Sequence, residues 1–376
     1  MATRVRSYSK INLGLAIGPV RPDGFHGLTT LYQTLNLHDL VTVSARRTAE
    51  TRISLRTDHP FVPQDERNTA WKMVEKCLER LGMAAEIEID IEKRLPVQGG
   101  LGAGSANAAA ALLGLERELG VELAKEERLR LAAEVGSDVP LFLLGGAVMG
   151  TGRGEQVTPM RDLPKAWCVV AVPQIGVSTP AAFKAWDALV AAEDAESKGE
   201  AMPQKPKMEP ADSGADRSRE LTHPPKLDKL QQLSLAYSSL SVKTGDSRPG
   251  TSGILRDQSS EKQRDSLDEI QEHAPKNLAE NTLLALVRTG IGNDFEEVVF
   301  PQYPSLRITK RQLMGSDSDS PAIYAALSGS GSALFGLYRS EPEAKAAQQR
   351  VQSSGVQALL TQTLPRAEYW ERMFAE

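Results

Sequence analysis

Strict alternation of apolar and polar residues in AEIEIDIE, residues 85–92, predicts a strand with one face in the core and the other in water. Residues 4–20 and 31–44 also read as strands, joined by the polar turn RPDGFHG. The period then changes. LPVQGGLGAGSANAAAALLGL, residues 95–115, opens apolar, passes through four glycines in six residues and becomes an alanine-rich helix. LAKEERLRLAAEVG predicts a second helix, closed by Gly136. SDVPLFLLGGAVMGTGRGEQVTPM follows with a short helical or buried segment and a hairpin. AWCVVAVP, residues 166–173, is a continuous apolar run of the kind a central strand carries. Strands come first and helices pack on them later, which predicts an α+β fold rather than a wound parallel sheet.

From 195 to 275 the periodicity disappears. That stretch is rich in Ser, Pro, Lys, Asp, Glu and Gln, with one Tyr and no Phe or Trp. It cannot bury enough apolar surface to offset its ordering entropy. A mostly disordered insertion is expected, with transient helix at PKLDKLQQLSLAY; a small domain is the alternative. Globular patterning resumes at NLAENTLLALVRTGIGNDFEEVVFPQYPSL, which reads as two helices. SPAIYAAL predicts a third, running into SGSGS (328–332) and a strand, ALFGLY. EPEAKAAQQRVQSSG adds a helix before a terminal element.

At 376 residues the chain is long enough for two domains, expected at 1–160 and 161–376 with the second interrupted by the insertion. A formal charge of −5 argues against nucleic acid or an anionic membrane as the main partner. No apolar run reaches the roughly 20 residues that span a bilayer. The opening MATRVRSYSKINLGLAIGPV is broken by Asn12 and two glycines, and reads as a first strand rather than a signal peptide. Cys77 and Cys168 are the only cysteines, far apart and in apolar contexts. Two buried thiols in a reducing cytoplasm fit them better than a disulfide or a metal site.

The glycine run poses the chemical question. Glycine costs entropy and packs nothing, so such a run belongs where backbone N–H groups must approach something closely. A helix start offers unpaired N–H groups and the positive end of the helix dipole, and its usual guest is phosphate. Three phosphate-loop patterns fail here. A P-loop needs Lys after its last glycine, but Gly104 is followed by Ser105 and Ala106. A dinucleotide fingerprint needs a glycine where Ser105 stands. A protein-kinase loop joins two strands, whereas SANAAAALLGL is helical. Strand, proline, glycine turn, serine and helix remain; a tight helix–sheet contact is the alternative purpose of the glycines.

Taken with the other motifs, the loop resembles the ATP-binding motif of the GHMP kinases, small-molecule kinases for galactose, homoserine, mevalonate and related alcohols. Within that superfamily, SKINLGLAIGPVRPDGFHGLTTLYQTLNLHDLV, GSDVPLFLLGGAVMGTGRGE, STPAAFKAW and SGSGSALFG match motifs of one subfamily in the expected order. The match is strongest to its members that act on a cytidine diphosphate sugar alcohol in the non-mevalonate route to isoprenoid precursors. The resemblance implies an N-terminal ATP-binding domain like domain 2 of ribosomal protein S5 and a ferredoxin-like α/β-plait C-terminal domain. It also implies transfer of the ATP γ-phosphoryl, with Mg2+, to the 2-hydroxyl of 4-diphosphocytidyl-2-C-methyl-D-erythritol. A cytoplasmic monomer or homodimer is the implied form. Another GHMP kinase, or a non-catalytic binding protein on the same scaffold, are the competing readings; DGFHG with Phe183 argues against the first, and retention of Lys10 with Asp138 against the second.

The resemblance assigns ATP to Pro96, Val97, Gln98, Gly99, Gly100, Leu101, Gly102, Ala103, Gly104, Ser105 and Ala106, with the Ser105 hydroxyl near the metal. Asp138 becomes the general base, although its place before Val139 and Pro140 equally suits a helix cap. Lys10 becomes its charge partner; two opposite charges about 4 Å apart attract by about 4 kcal/mol at an effective dielectric of about 20. On its own Lys10 also reads as a solvated lysine at a strand edge. Asn12, Phe25, His26, Thr179 and Phe183 are assigned to the substrate, with His26 on the polar edge of cytosine and Phe25 and Phe183 on its faces. Without the family, Phe183 reads as a core residue and SGSGS as a plain turn. The chain departs from the family pattern at Ala106, Phe25 and Gly27, where serine, tyrosine and glutamate are usual, and in the insertion.

Overall fold

The computed structural model describes residues 2–97, 99–197, 291–318 and 320–375. Two long antiparallel strands, β1 (Thr3–Val20) and β2 (His26–Arg47), open the chain. They are joined through the turn at RPDGF. β3 (Arg52–Thr57), α1 (Thr69–Leu81) and β4 (Ala85–Glu92) form a parallel crossover beside them. β4 alternates as its sequence requires: Ile87, Ile89 and Ile91 are buried, while Glu88 and Asp90 are exposed. One edge of β2 serves two neighbours. Its C-terminal half pairs with β4, and Thr30–Gln33 pair with β5 (Ala147–Thr151). β6 (Gln156–Pro159) makes a hairpin with β5, and β11 (Phe374–Ala375) returns to β1.

Against this sheet lie α1, α2 (Ala103–Leu119) and α3 (Lys125–Val135), followed by a 3-10 turn over Pro140–Leu143. The small side chains of α2 let the helix sit close: a Cβ on Gly114 would come within 2.7 Å of Val43. A second, fully antiparallel sheet has the order β10–β7–β9–β8, with β7 (Trp167–Val172), β8 (Tyr324–Leu327), β9 (Leu334–Tyr338) and β10 (Gln357–Gln362). β7 is central there, as its unbroken apolar run predicts. α4 (Thr179–Ser197), α5 (Phe295–Gln302), α6 (Pro304–Met314) and α7 (Glu341–Gln352) accompany this sheet, and α8 (Arg366–Glu371) precedes β11. The class is α+β, as expected. Among the described residues, no helix is long and apolar enough to cross a membrane.

One predicted element is corrected. SPAIYAAL does not form a helix; Tyr324–Leu327 is the strand β8. Alanine favours helices, but Ala325 packs into the core around α5 and α6 while Ala326 packs into the core around β7 and β9. A segment buried on both faces gains more from the sheet than its intrinsic propensity costs. Of the helices expected from Asn277 onward, α5 is present; the segment before Ile291 lies outside the described residues, as do residues 198–275 of the expected insertion.

Both thiols are buried and unpaired. Burial pushes Cys77 up to about 12 and Cys168 higher still. Thiolate, not thiol, attacks alkylating reagents. Iodoacetamide at neutral pH should therefore leave the native protein unlabelled and modify two sites once it is denatured. Mass spectrometry of the intact chain checks this; rapid native labelling would contradict the burial.

Candidate active site

Period two along β1 and β2 places the polar side chains of the site on one face. Lys10 pairs across the ladder with Thr34, and Asn12 with Tyr32. Residues two apart on a strand share a face. Accordingly Lys10 Nζ donates to Asn12 Oδ1 at 2.7 Å, and Asn12 Nδ2 donates to Thr30 Oγ1 at 2.8 Å. All three are buried. A buried ammonium needs a charged or hydrogen-bonding partner. Lys10 has both, for Asp138 Oδ2 lies 3.2 Å from its Nζ.

Asp138 arrives from the turn that links α3 to the 3-10 segment. The capping alternative is overturned: Val139 occupies the cap position, and no side chain caps that turn. The Asp138 carboxylate faces inward instead. Its other oxygen, Oδ1, accepts the Tyr32 hydroxyl at 3.0 Å. Burial, reinforced by the Asp138 charge and this hydrogen bond, holds the Tyr32 phenol well above its usual range. Tyr32 therefore stays protonated and donates. The β5–β6 hairpin leaves room for its ring, since a Cβ on Gly150 would fall 2.5 Å from Tyr32 Cε2 and one on Gly154 would fall 2.5 Å from its hydroxyl.

The glycine run forms the roof of this pair. Gly100 and Gly102 have φ of 82° and 73°, a region that residues with a Cβ avoid. Space forbids a side chain as well: a Cβ on Gly100 would meet the Ser328 carbonyl oxygen at 2.1 Å, and one on Gly102 the Lys10 side chain at 3.1 Å. The Lys10 N–H donates to the Leu101 carbonyl at 3.0 Å, tying the loop to β1. Gly102 is the N-cap of α2 and offers no side chain to its first turn. Ser105, in that turn, points towards the bend after α3, its Oγ lying 3.9 Å from where a Gly136 Cβ would be. Leu101, Ala103 and Ala106 are buried supports, and Gln98 lies outside the described residues. SGSGS is more than a plain turn: Ser328 Oγ donates to the Gly100 carbonyl, the Ala333 N–H donates to Gly99, and Ser330 shares a 2.7 Å hydrogen bond with Thr179.

Asp39 anchors the approach to this loop. It is fully buried and accepts from Lys93 Nζ and from the Arg94 and Leu95 N–H groups at 2.8 and 2.7 Å. Pro96 and Val97 follow directly.

Lys10, Asn12, Asp138, Gly100, Gly329 and Ser330 open into one cavity of about 560 Å³. Phe25, His26, Thr179 and Phe183 line its other end. All the expected substrate residues thus share one cavity with the catalytic candidates, but the aromatic arrangement differs from the expected one. Phe25 is 52% exposed, and the Arg153 guanidinium lies 4.9 Å from its ring centre. Phe183 stacks on the His26 ring at 5.1 Å and 8°, and meets Phe295 edge-on at 4.9 Å. The His26 side chain does not present a free polar edge: Nδ1 bonds the Gly18 carbonyl at 2.9 Å, and Nε2 faces Asp187 Oδ1 at 3.0 Å. The ring is held by the protein because His26 begins β2 beside the end of β1, where α4 passes.

Tyr32, Asp39, Thr30, Arg153 and Asp187 were not singled out from sequence. The alternation of Thr30 and Tyr32 opposite Asn12 was a usable signal for the first strand pair. Nothing local marks Asp39 or Asp187.

Residues 68–146 match the GHMP kinases N terminal domain, and residues 266–357 match the GHMP kinases C terminal domain. A 4-diphosphocytidyl-2-C-methyl-D-erythritol kinase from Solibacter usitatus (strain Ellin6076) is 32% identical over 335 residues, covering 89% of this chain and 81% of its own. The chain belongs to the GHMP kinase superfamily. A protein of the same name from Rhodococcus jostii (strain RHA1) is 41% identical over 185 residues, which is 49% of this GHMP kinase and 59% of that relative. The match thus spans less than two thirds of that relative's length. Among solved structures, a 4-(cytidine 5'-diphospho)-2C-methyl-D-erythritol kinase superposes with a TM-score of 0.60 at 24% identity, covering 96% of this chain and 99% of that one. A homoserine kinase from Cytophaga hutchinsonii reaches 0.61 at 17% identity, covering 98% and 96%. Both likenesses concern the fold.

Proposed function

We propose that this GHMP kinase transfers the γ-phosphoryl of ATP to the 2-hydroxyl of 4-diphosphocytidyl-2-C-methyl-D-erythritol, a step of the non-mevalonate isoprenoid route. The observation that carries the proposal is the convergence of Lys10 and Asp138 in one cavity with Gly100, two residues before the uncapped start of α2 at Gly102. Uncapped N–H groups and the helix dipole favour the nucleotide's phosphates there. The substrate hydroxyl attacks phosphorus as the bond to ADP breaks, and its proton passes to Asp138. A free aspartate is a weak base toward an alcohol, so the proton moves late, as the new O–P bond forms. Lys10 orients the carboxylate and offsets charge on the transferring group. Tyr32 holds the other carboxylate oxygen.

A Mg2+ accompanying ATP would supply charge neutralisation on the phosphates. The Ser105 hydroxyl, in the first turn of α2, would be the side chain to hold it.

The cytidine end rests on Phe25 and Phe183 in the same cavity and on the names of the relatives. ADP release measured with the cytidine substrate, mevalonate and homoserine tests the assignment. Turnover is expected with the first alone; turnover with either of the others and none with the first would overturn it. Phe183→Ala should raise KM for the cytidine substrate by about 10-fold, the scale of one lost base–aromatic stack, and leave KM for ATP unchanged. Equal losses for both would contradict a role for Phe183 at the base.

A further inference from the structure

We infer that Asn293 is a positioning residue for phosphoryl transfer: its carboxamide fixes the SGSGS loop, residues 328–332, in place over Lys10. The inference rests on the kinase reading above and adds a residue from outside the cavity lining. Asn293 is 5% exposed and lies just before α5.

Its backbone is fastened to the strand that carries Lys10 and Asn12. The Leu15 N–H donates to the Gly292 carbonyl at 2.9 Å, and the Asp294 N–H donates to the Leu15 carbonyl at 3.0 Å. From that anchor the side chain reaches the loop. Asn293 Nδ2 donates to the Leu327 carbonyl at 2.8 Å and to the Gly329 carbonyl at 2.7 Å, while Oδ1 accepts the Phe295 N–H at 3.0 Å. Two carbonyls can only accept and an N–H can only donate, so the orientation of the carboxamide is dictated by its partners. Asparagine supplies both donors and the acceptor at once; aspartate supplies no donor.

The loop so held bears on the site. Gly329 and Ser330 line the cavity with Lys10 and Asn12. A Cβ on Gly329 would lie 3.5 Å from Asn12 Oδ1 and 3.8 Å from Lys10 Nζ. Ser328 Oγ donates to the Gly100 carbonyl at 2.9 Å, so the same loop also braces the glycine bend. In a trans peptide the N–H points opposite to the carbonyl. Binding the Gly329 carbonyl therefore turns the Ser330 N–H away from Asn293. Among the described residues neither the Gly329 N–H nor the Ser330 N–H has a protein acceptor. Both are left to meet negative charge on the phosphoryl group as it passes Lys10.

ADP release with the cytidine substrate, together with calorimetric titration of a non-hydrolysable ATP analogue, tests the assignment on Asn293→Ala and Asn293→Asp. Val299→Ala is the control, since Val299 is buried in the core on α5. Asn293→Ala should lower kcat by about 100-fold, the scale of a small misplacement at the reacting centre, with analogue affinity within about three-fold. Asn293→Asp should lower kcat further, because a carboxylate would face two carbonyl oxygens. Val299→Ala should lower the urea midpoint and leave kcat unchanged. If the aspartate variant does not fold, the alanine variant decides. Turnover of Asn293→Ala within a few-fold of the original, or an equal loss in Val299→Ala, would make Asn293 a structural residue only. An unaltered protein that releases no ADP overturns the substrate reading and this role with it, a result distinct from an active protein whose variants keep their turnover.

Discussion

Asp138→Asn should lower kcat by about 10²–10⁴-fold, the usual contribution of a positioned general base, while ATP affinity stays near its original value. The two effects separate because of where Asp138 sits. Its carboxylate touches Lys10 and Tyr32, and among the described residues no hydrogen bond joins it to the glycine run. The carboxamide that replaces it keeps the shape and still offers an oxygen to the Tyr32 hydroxyl. What it loses is the capacity to take a proton and the charge facing Lys10. Coupled ADP release and calorimetric titration with the non-hydrolysable ATP analogue measure the two quantities independently. Turnover within a few-fold of the original would remove Asp138 from the chemistry. A parallel collapse of ATP binding would make it part of the nucleotide cradle instead.

Asp39→Ala is expected to destabilise the fold by about 3–5 kcal/mol, the cost of leaving one member of a buried ion pair without its partner. Asp39 is completely buried and the Lys93 side chain is only 4% exposed, so water cannot take over the lost contact. Two backbone N–H groups, at Arg94 and Leu95, lose their acceptor at the same time. Those residues lead directly into Pro96 and the glycine bend. The variant should therefore also raise KM for ATP, a second effect that a purely structural pair elsewhere would not produce. Urea denaturation followed by circular dichroism gives the first quantity, and steady-state kinetics below the midpoint gives the second. A loss under about 1 kcal/mol would show that the segment is anchored by something other than Asp39.

The fold and the site were legible to different depths. AEIEIDIE, AWCVVAVP and the alanine-rich stretch after Gly104 each carry their conformation in the spacing of neighbouring residues, and each adopts it. The glycines of the motif are recognisable because the space dictates them: the Ser328 carbonyl at Gly100, and the Phe142 and Lys10 side chains at Gly102, leave no room for a Cβ. SPAIYAAL was misread because alanine spacing reports helix propensity and says nothing of burial on two faces. The partners of His26, the Gly18 carbonyl and Asp187, could not be read from its neighbours because they come from β1 and α4.

By itself the sequence determined many of the strands and helices, the α+β class, and a glycine-rich helix start bearing Ser105 between a distant lysine and aspartate, but it left β3 and α1 unread. Only the tertiary structure decided that Tyr32, 106 positions before Asp138, holds that carboxylate, and that His26 meets the Gly18 carbonyl and Asp187. Backbone conformation is set largely by residues a few positions apart, whereas the partner of a side chain depends on strand register and helix packing, which bring together residues that share no local signal.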